Sequence, residues 1–125
     1  MLGSYSIRTD LALEATERFT EENVEVRGVE VQEDYNEEKD IRTTVVKITT
    51  ENGARTMGRP QGNYITIEAP GLSVHDEDYH REISQEIMRH IQKLMNLERE
   101  QSILVVGLGN SAITADSLGP HVVEN

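Results

Sequence analysis

Residues 104–120 of the chain read LVVGLGNSAITADSLGP, and this stretch decides the predicted fold. The nearly all-apolar run of residues 102–106 is typical of a strand that is buried on both faces of a parallel sheet. A glycine-rich bend follows and leads to a single carboxylate, Asp116. Because open α/β sheets place their functional sites at the carboxyl ends of their strands, the stretch predicts a buried strand that carries a polar, functional loop.

The middle of the chain, residues 26–69, is typical of a small antiparallel sheet or meander. Val29 and Val31 alternate with polar residues, and residues 41–50 are dense in β-branched side chains. Residues 63–69 form a further strand-like run that ends before a proline and a glycine. An edge of this predicted sheet could receive an extended substrate or another subunit.

A hairpin is predicted at Asn52-Gly53, since both residue types tolerate a positive φ. The dipeptide follows the β-branched run directly. We therefore expect residues 54–58 to form the return strand of this hairpin.

Three segments predict helices. Residues 75–97 carry apolar side chains at helical spacing, and we expect this helix to cover one face of the α/β sheet. The spaced residues are Ile83, Ile87, Ile91, Leu94 and Met95. Asp10 could cap a short helix over residues 11–19. Pro120 fits the first turn of a helix that follows the glycine-rich bend.

The predicted fold class is α/β, with an antiparallel β subdomain. Residues 11–101 supply the β-rich region and the covering helix, and residues 102–125 supply the first strand and the loop of an α/β core. A parallel sheet cannot rest on one strand. We therefore expect the core to be incomplete in these 125 residues and the chain to be truncated.

Composition narrows the possible partners. The formal net charge of −11 disfavours direct binding to nucleic acid or to an anionic membrane, because both are polyanions. The absence of cysteine excludes a disulfide framework, a thiol nucleophile and a zinc–thiolate site. Neither an apolar leader nor a run of about 20 apolar residues is present, so a soluble cytoplasmic protein is expected.

The loop of residues 107–110 allows a second interpretation. Gly107 to Ala112 match G-x-G-x-x-A, a form of the dinucleotide-binding motif, after a predicted strand. The match is weak, because that motif needs a helix that begins at the second glycine, and Gly119-Pro120 interrupts such a helix almost at once. The alternative function is a non-catalytic domain that binds a nucleotide, another phosphate ligand or a protein partner through this loop.

Asp116 has two interpretations of its own. As a turn or cap residue, it would accept hydrogen bonds from the main-chain amides of Leu118 or Gly119. As one member of a carboxylate pair that shares a proton, it would perform acid–base chemistry. Asn110 and Thr114 can tie the loop internally and fix the direction of Asp116. Gly107 and Gly109 allow a sharp bend and the close approach of a peptide.

The histidines point to no metal site. A cluster at the start of the long predicted helix lacks the spacing of a metal-binding pair and is interpreted as a solvated helix start. Its residues are His75, Asp76, Asp78 and His80. His90 is interpreted as a flank of the same helix. His121 could orient Asp116 or face water, and we favour water.

Three ordered motifs, at residues 5–15, 62–69 and 105–120, resemble the amino-terminal part of the germination proteases, endopeptidases of spore-forming bacteria. The last motif is also similar to the loop of the hydrogenase-maturation proteases, which share the α/β fold. The resemblance implies a phosphorylase/hydrolase-like sheet domain and an atypical aspartic-type endopeptidase without a cofactor. It further implies degradation of small acid-soluble spore proteins during germination, a homotetramer, and location in the cytoplasm of the forespore or the spore core.

The resemblance also assigns roles to residues. Asp116 falls on the first essential aspartate of the family, and the second is expected beyond residue 125, so the chain alone is expected to be inactive. The family is made as a zymogen that cleaves itself, which implies a propeptide over residues 1–10 and cleavage between Asp10 and Leu11. Ala115 departs from the proline that the family often has there, and this affects loop rigidity rather than chemistry.

Overall fold

The computed structural model describes residues 12, 16, 26–74, 76–95 and 100–125. It divides into two compact units, Met1–Met95 and Asn96–Asn125. Ala12 and Thr16 are helical, whereas the rest of the predicted helix over residues 11–19 lies outside the described residues, as do Asp10, Leu11 and His75. Helices and an antiparallel sheet confirm the α/β class at this level, and no parallel sheet occurs among the described residues.

The first unit is built on a three-stranded antiparallel sheet. Its strands are β1 (Val29–Asn36), β2 (Ile41–Ile48) and β3 (Gly62–Glu68), in the order β1-β2-β3. This confirms the predicted antiparallel sheet, with β2 at its centre. Because side chains alternate between the two faces of a sheet, the even-numbered residues of β2 pack on one face and the odd-numbered residues on the other.

Helix α1 (Glu51–Met57) stands where the hairpin was predicted. The hydroxyl of Thr50 accepts the Gly53 amide at 3.1 Å and caps the helix, and Gly58 ends it in the left-handed conformation at φ 64°. Gly53 does not have a positive φ. It is buried against Gly28, whose carbonyl oxygen would lie 2.8 Å from an added Cβ. The hairpin prediction was wrong because β2 already has a strand on each side.

One face of the sheet holds the hydrophobic core of the first unit. Its buried members are Ala12, Val46, Ile48 and Met57, with Val29, Ala54 and Tyr64 packed against them. The register places Val46 opposite Tyr64 on this face. The helical residue Ala12 and helix α1 therefore close the core over β2, and Val46 is 1% exposed.

Helix α2 (Glu77–Leu94) packs on the opposite face of the sheet. Asp76 caps it by accepting the amides of Asp78 and Tyr79, at 3.0 and 3.2 Å. Two contacts join its first half to the β1–β2 turn: the Tyr79 hydroxyl donates to the Asp40 carbonyl at 3.3 Å, and Lys39 lies 3.2 Å from Glu82. The predicted helix is confirmed, and Asp76 at its start is a cap.

The apolar stripe of α2 is only partly buried. Ile83 is 3% exposed, but Ile87, Ile91 and Leu94 are 44%, 45% and 52% exposed. The polar residues Glu86 and His90 turn towards the antiparallel sheet instead. The residues that face the sheet follow the helical spacing i, i+4, i+7 and i+11 from Tyr79, which includes these two polar positions.

Glu86 is the centre of a polar network between α2 and the sheet. Its Oε1 accepts a hydrogen bond from Thr43 at 3.5 Å and lies 2.9 Å from Nε2 of His90, while Arg89 pairs with its other oxygen. A cleft of about 200 Å³ opens beside this network. Its walls are formed by Gln32, Glu33, Asp34, Thr43, Val45, Glu86, Arg89, His90 and Lys93.

In the second unit, residues 102–106, where a strand is predicted, have no regular secondary structure in this structure. Among the described residues no strand pairs with this run, and Leu104 is 87% exposed. A strand exists only through hydrogen bonds to a neighbour, so the apolar pattern alone does not produce one. Helix α3 (Leu118–Glu124) does form, with Pro120 in its first turn as predicted.

Among the described helices, none is both long enough and apolar enough to cross a lipid bilayer.

Replacing Thr50, the N-cap of α1, tests whether its hydroxyl stabilises this helix. Thr50→Ala removes the acceptor of the Gly53 amide, and we expect a loss of about 1 kcal/mol in the free energy of unfolding. A thermal melt of the chain should show a decrease of roughly 4–8 °C. Thr50→Ser keeps the hydroxyl and should melt near the wild-type temperature, and an equal loss in both variants would contradict the capping role.

The environment of His90 predicts a dependence of stability on pH. Burial, followed by the charges of Lys93 and Arg89, lowers the pKa of His90 from its ordinary value of 6.5 and outweighs the Glu86 carboxylate, 2.9 Å from Nε2, which favours the charged imidazole. Just below pH 6.5, the unfolded chain therefore binds more protons than the folded chain. The contribution of His90 to the free energy of unfolding is complete above this pH, and it is lost as the pH falls through the pKa of the folded state. When the pH is lowered from about 7.5 to about 5.5, the melting temperature of His90→Gln should fall less than that of the wild type. An identical loss in both proteins would remove His90 as the cause.

Candidate active site

The loop between the apolar run and α3 is closed by Asn110. The Asn110 amide donates to the Asp116 carbonyl at 2.8 Å, and the Asn110 carbonyl accepts the Ile113 amide at 3.1 Å. Its side-chain oxygen accepts the Ala112 amide at 3.0 Å. Asn110 therefore holds the loop through its amide, its carbonyl and its side chain, as expected for an asparagine in a turn.

Asp116 lies in a 3-10 turn (Thr114–Asp116) that leads into α3. Its amide donates to the Ile113 carbonyl at 2.9 Å, and its carbonyl accepts the Asn110 amide, so the main chain is held on both sides. The side chain is exposed. In residues 100–125 no hydrogen bond or ion pair engages the carboxylate, and no helix-capping bond to Leu118 or Gly119 is formed. The turn or cap interpretation of Asp116 therefore has no support in this geometry.

Ser117 joins the turn to the helix. Its hydroxyl donates to the Thr114 carbonyl at 2.9 Å, and its carbonyl accepts the His121 amide at 3.1 Å. Within residues 100–125 it is the one buried residue. Thr114 thus ties the loop through its carbonyl oxygen. Sequence analysis did not select Ser117, although a serine directly before a helix is an ordinary sign of a helix start.

Three glycines allow the loop and the start of α3 to touch. A Cβ on Gly107 would overlap the Gly119 carbonyl oxygen, and a Cβ on Gly119 would overlap the Leu108 carbonyl oxygen. A Cβ on Gly109 would overlap the Asp116 carbonyl oxygen, and Gly109 also has a φ of 148°, which favours glycine. These glycines therefore serve contacts within the loop, and Gly119 is a participant that sequence analysis missed.

The geometry argues against a phosphate-binding loop. The dinucleotide motif needs a helix that begins at its second glycine, but α3 begins at Leu118. The space beside Gly107 is filled by Gly119 and by Val123, whose Cγ2 would lie 2.6 Å from an added Cβ. The alternative of nucleotide binding through residues 107–110 is therefore not favoured.

The histidine of this unit does not face the candidate carboxylate. His121 is exposed, and its Nδ1 lies 3.7 Å from Oε2 of Glu124. In the part of the chain that the structure describes, no three histidine, aspartate or glutamate side chains group in a way that could hold a metal ion. The site thus consists of one free carboxylate on a fixed main chain, with Gly107, Gly109, Asn110 and Thr114 around it.

Comparison with known proteins gives a consistent result. A family model described as germination protease matches residues 7–125. The germination protease of Caldanaerobacter subterraneus subsp. tengcongensis is 47% identical over 119 residues, which cover 95% of this chain and 36% of that protein. The germination protease of Clostridium perfringens (strain ATCC 13124) is 42% identical over 120 residues, which cover 95% and 37% of the two chains.

A more distant relative is the germination protease of Priestia megaterium, which is 36% identical over 133 residues, with coverage of 99% of this chain and 35% of that protein. The chain spans about a third of the length of the curated relatives it matches.

Gly119→Ala tests the contact between the loop and α3. Alanine normally stabilises a helix relative to glycine by about 1 kcal/mol. Here the new Cβ would overlap the Leu108 carbonyl, and we expect a local loss of about 1–3 kcal/mol instead. Amide hydrogen exchange of Asn110 and Asp116 should become faster in Gly119→Ala and should not change in Ser111→Ala, which adds no atoms. Slower exchange in Gly119→Ala would show that the two segments do not touch.

Proposed function

The chain belongs to the germination protease family, and on that premise we propose that Asp116 is a catalytic carboxylate of an endopeptidase. One observation carries the proposal. The main chain of Asp116 is fixed by hydrogen bonds to Ile113 and Asn110, while its carboxylate is exposed and engages no group of residues 100–125. A catalytic group needs this combination, because its position must be fixed and its reactive atoms must be free.

The proposed chemistry is of the aspartic type. Two carboxylates that share one proton acquire separated pKa values, so that one accepts a proton from the attacking water while the other donates a proton to the substrate. Among residues 100–125 the other carboxylates belong to Glu100 and Glu124, and Glu124 lies beside His121. We assign the second carboxylate to the remaining two-thirds of the family members' length.

The proposed substrates are small acid-soluble spore proteins, degraded during germination in the cytoplasm of the spore. The proposal includes a zymogen that removes residues 1–10 by cleavage between Asp10 and Leu11, and a homo-oligomeric assembly. These statements rest on the family, since Asp10 and Leu11 lie outside the described residues.

The same premise extends to the fold of the second unit. We assign residues 102–125 to the first strand and active-site loop of a phosphorylase/hydrolase-like α/β domain, and residues 11–101 to the β-rich region with its covering helix. The exposure of Leu104, at 87%, and of Val106, at 66%, supports this assignment, because a strand of such composition is stable only between neighbouring strands.

Asp116→Asn tests the proposed role in a full-length protein that carries these residues. The amide keeps the size of the side chain but removes its proton chemistry, so we expect the rate of cleavage of a small acid-soluble spore protein to fall on the order of 10³-fold or more. Self-processing should stop as well, while circular dichroism shows an unchanged fold.

Ser111→Ala in the same protein is the matched loop control and should process and cleave normally. The 125-residue chain alone should show no turnover. Normal processing by Asp116→Asn, or steady turnover by the chain alone, would remove the two-carboxylate mechanism.

A further inference from the structure

The outer edge of β1 is a row of main-chain groups that no strand among the described residues pairs with. In the part of the chain that the structure describes, β1 (Val29–Asn36) pairs only with β2, through eight consecutive residue pairs without a bulge. It contains no proline, lysine or glycine, the residues with which proteins commonly interrupt or protect such an edge. Seven of its eight residues are exposed. The other edge strand, β3, is half-buried over residues 64–67.

The hydrogen-bond pattern identifies the groups that point outward. The Thr49 amide donates to the Gly28 carbonyl at 2.9 Å, so Gly28 and Thr49 form a hydrogen-bonded pair. Such pairs alternate along an antiparallel ladder. The amides and carbonyls of Val31, Glu33 and Tyr35 therefore point away from β2, where a further strand would bind.

The side chains of β1 alternate in character. Val31 and Tyr35, each 46% exposed, stand with Glu33 on the face that bears the hydrophobic core. The opposite face presents Glu30, Gln32, Asp34 and Asn36. A strand added here would have Val31 and Tyr35 as apolar neighbours on one face, with Glu33 between them, and acidic or amide neighbours on the other.

The charges of β1 favour a partner with positive charge. Glu33 pairs with Arg42 at 3.3 Å, whereas Glu30 and Asp34 form no ion pair with the described residues. Asp34 shares its cleft with Lys93 and with Arg89, which Glu86 already holds, and Glu30 lies opposite Lys47 in the register. β1 itself carries three carboxylates and no basic side chain, so the strand that an added segment would adjoin is acidic. A second copy of the chain, with its net charge of −11, would bring the same carboxylates together.

We propose that the outer edge of β1 binds an extended polypeptide segment in which lysine or arginine alternates with apolar residues. The outward main-chain groups of Val31, Glu33 and Tyr35 would pair with the segment, and its basic side chains would lie beside Glu30 and Asp34. This surface goes beyond the chemistry of Asp116 and does not depend on it. Failure of the Asp116→Asn test would leave binding at β1 intact, and failure of binding would leave Asp116 intact.

Amide hydrogen exchange of the full chain tests the proposal with a short peptide that alternates lysine and valine. The peptide should slow exchange at Val31, Glu33 and Tyr35 by about tenfold or more, because these amides gain an acceptor. Gln32 and Asp34 already donate towards β2 and should change little. A peptide in which glutamate replaces lysine, and one with N-methyl groups on its main chain, should both fail to protect the edge.

A pair of matched variants locates the charges. Glu30→Gln/Asp34→Asn keeps the shape of the edge and should weaken binding of the lysine–valine peptide by about 2- to 30-fold. Glu37→Gln/Glu38→Gln removes the same charge from the turn after β1 and should change the affinity by less than about twofold.

Three results would overturn the proposal. The first is unchanged exchange at Val31, Glu33 and Tyr35 with the lysine–valine peptide. The second is equal protection by the glutamate–valine peptide, because the edge would then not select a basic partner. The third is protection without peptide that rises with protein concentration, which would show that the edge pairs with a second copy. The peptide comparisons need no variant, so they decide the matter even if a substitution disturbs folding.

Discussion

The hydrogen bond from the Asn110 amide to the Asp116 carbonyl is the constraint on which the loop of the candidate active site depends. It closes a loop in which the chain returns on itself, and it can form only because the backbone passes closely at Gly109 and Gly119. A side chain at either position would push the two segments apart. The loop thus fixes the main chain of an exposed carboxylate by internal contacts alone. A fixed backbone with a free functional group is the arrangement that catalysis by a carboxylate requires.

The first unit distributes its packing unevenly over the two faces of one sheet. On the face with Val46, the small core closes tightly over β2. On the other face, α2 lies over the sheet through Ile83 and through the network of Glu86, while Ile87 and Ile91 stay nearly half exposed. With hydrophobic residues making up 36% of the chain, little apolar area is available for a second core. Hydrogen bonds and ion pairs therefore hold α2 in place where apolar contacts end.

Some local sequence patterns were sufficient to predict the correct secondary structure, and others were not. The alternation at Val29 and Val31 and the helical spacing from Ile83 to Leu94 both gave the correct element, because each depends on a period that the backbone itself imposes. Asn52-Gly53 gave the wrong one. A turn dipeptide forms a hairpin only if both flanking strands are available to each other, and β2 pairs instead with β1 and β3. His90 was interpreted as a helix flank, yet it faces the sheet beside Glu86, and no sequence signal distinguishes these two sides of α2.

Sequence patterns were enough to predict the three strands, the long helix, the start of α3 near Pro120 and the family to which the chain belongs. They also singled out Asp116 and its supporting residue Asn110. The folded chain was needed to see that Asp116 makes no capping bond, that Gly53 lies in a helix against Gly28, and that Gly119 completes the loop. The physical reason is the distance along the chain between the residues that interact. Periodicity and capping act over a few neighbouring residues, whereas a close approach between segments, or the choice of a strand's partner, depends on residues that are distant in the chain.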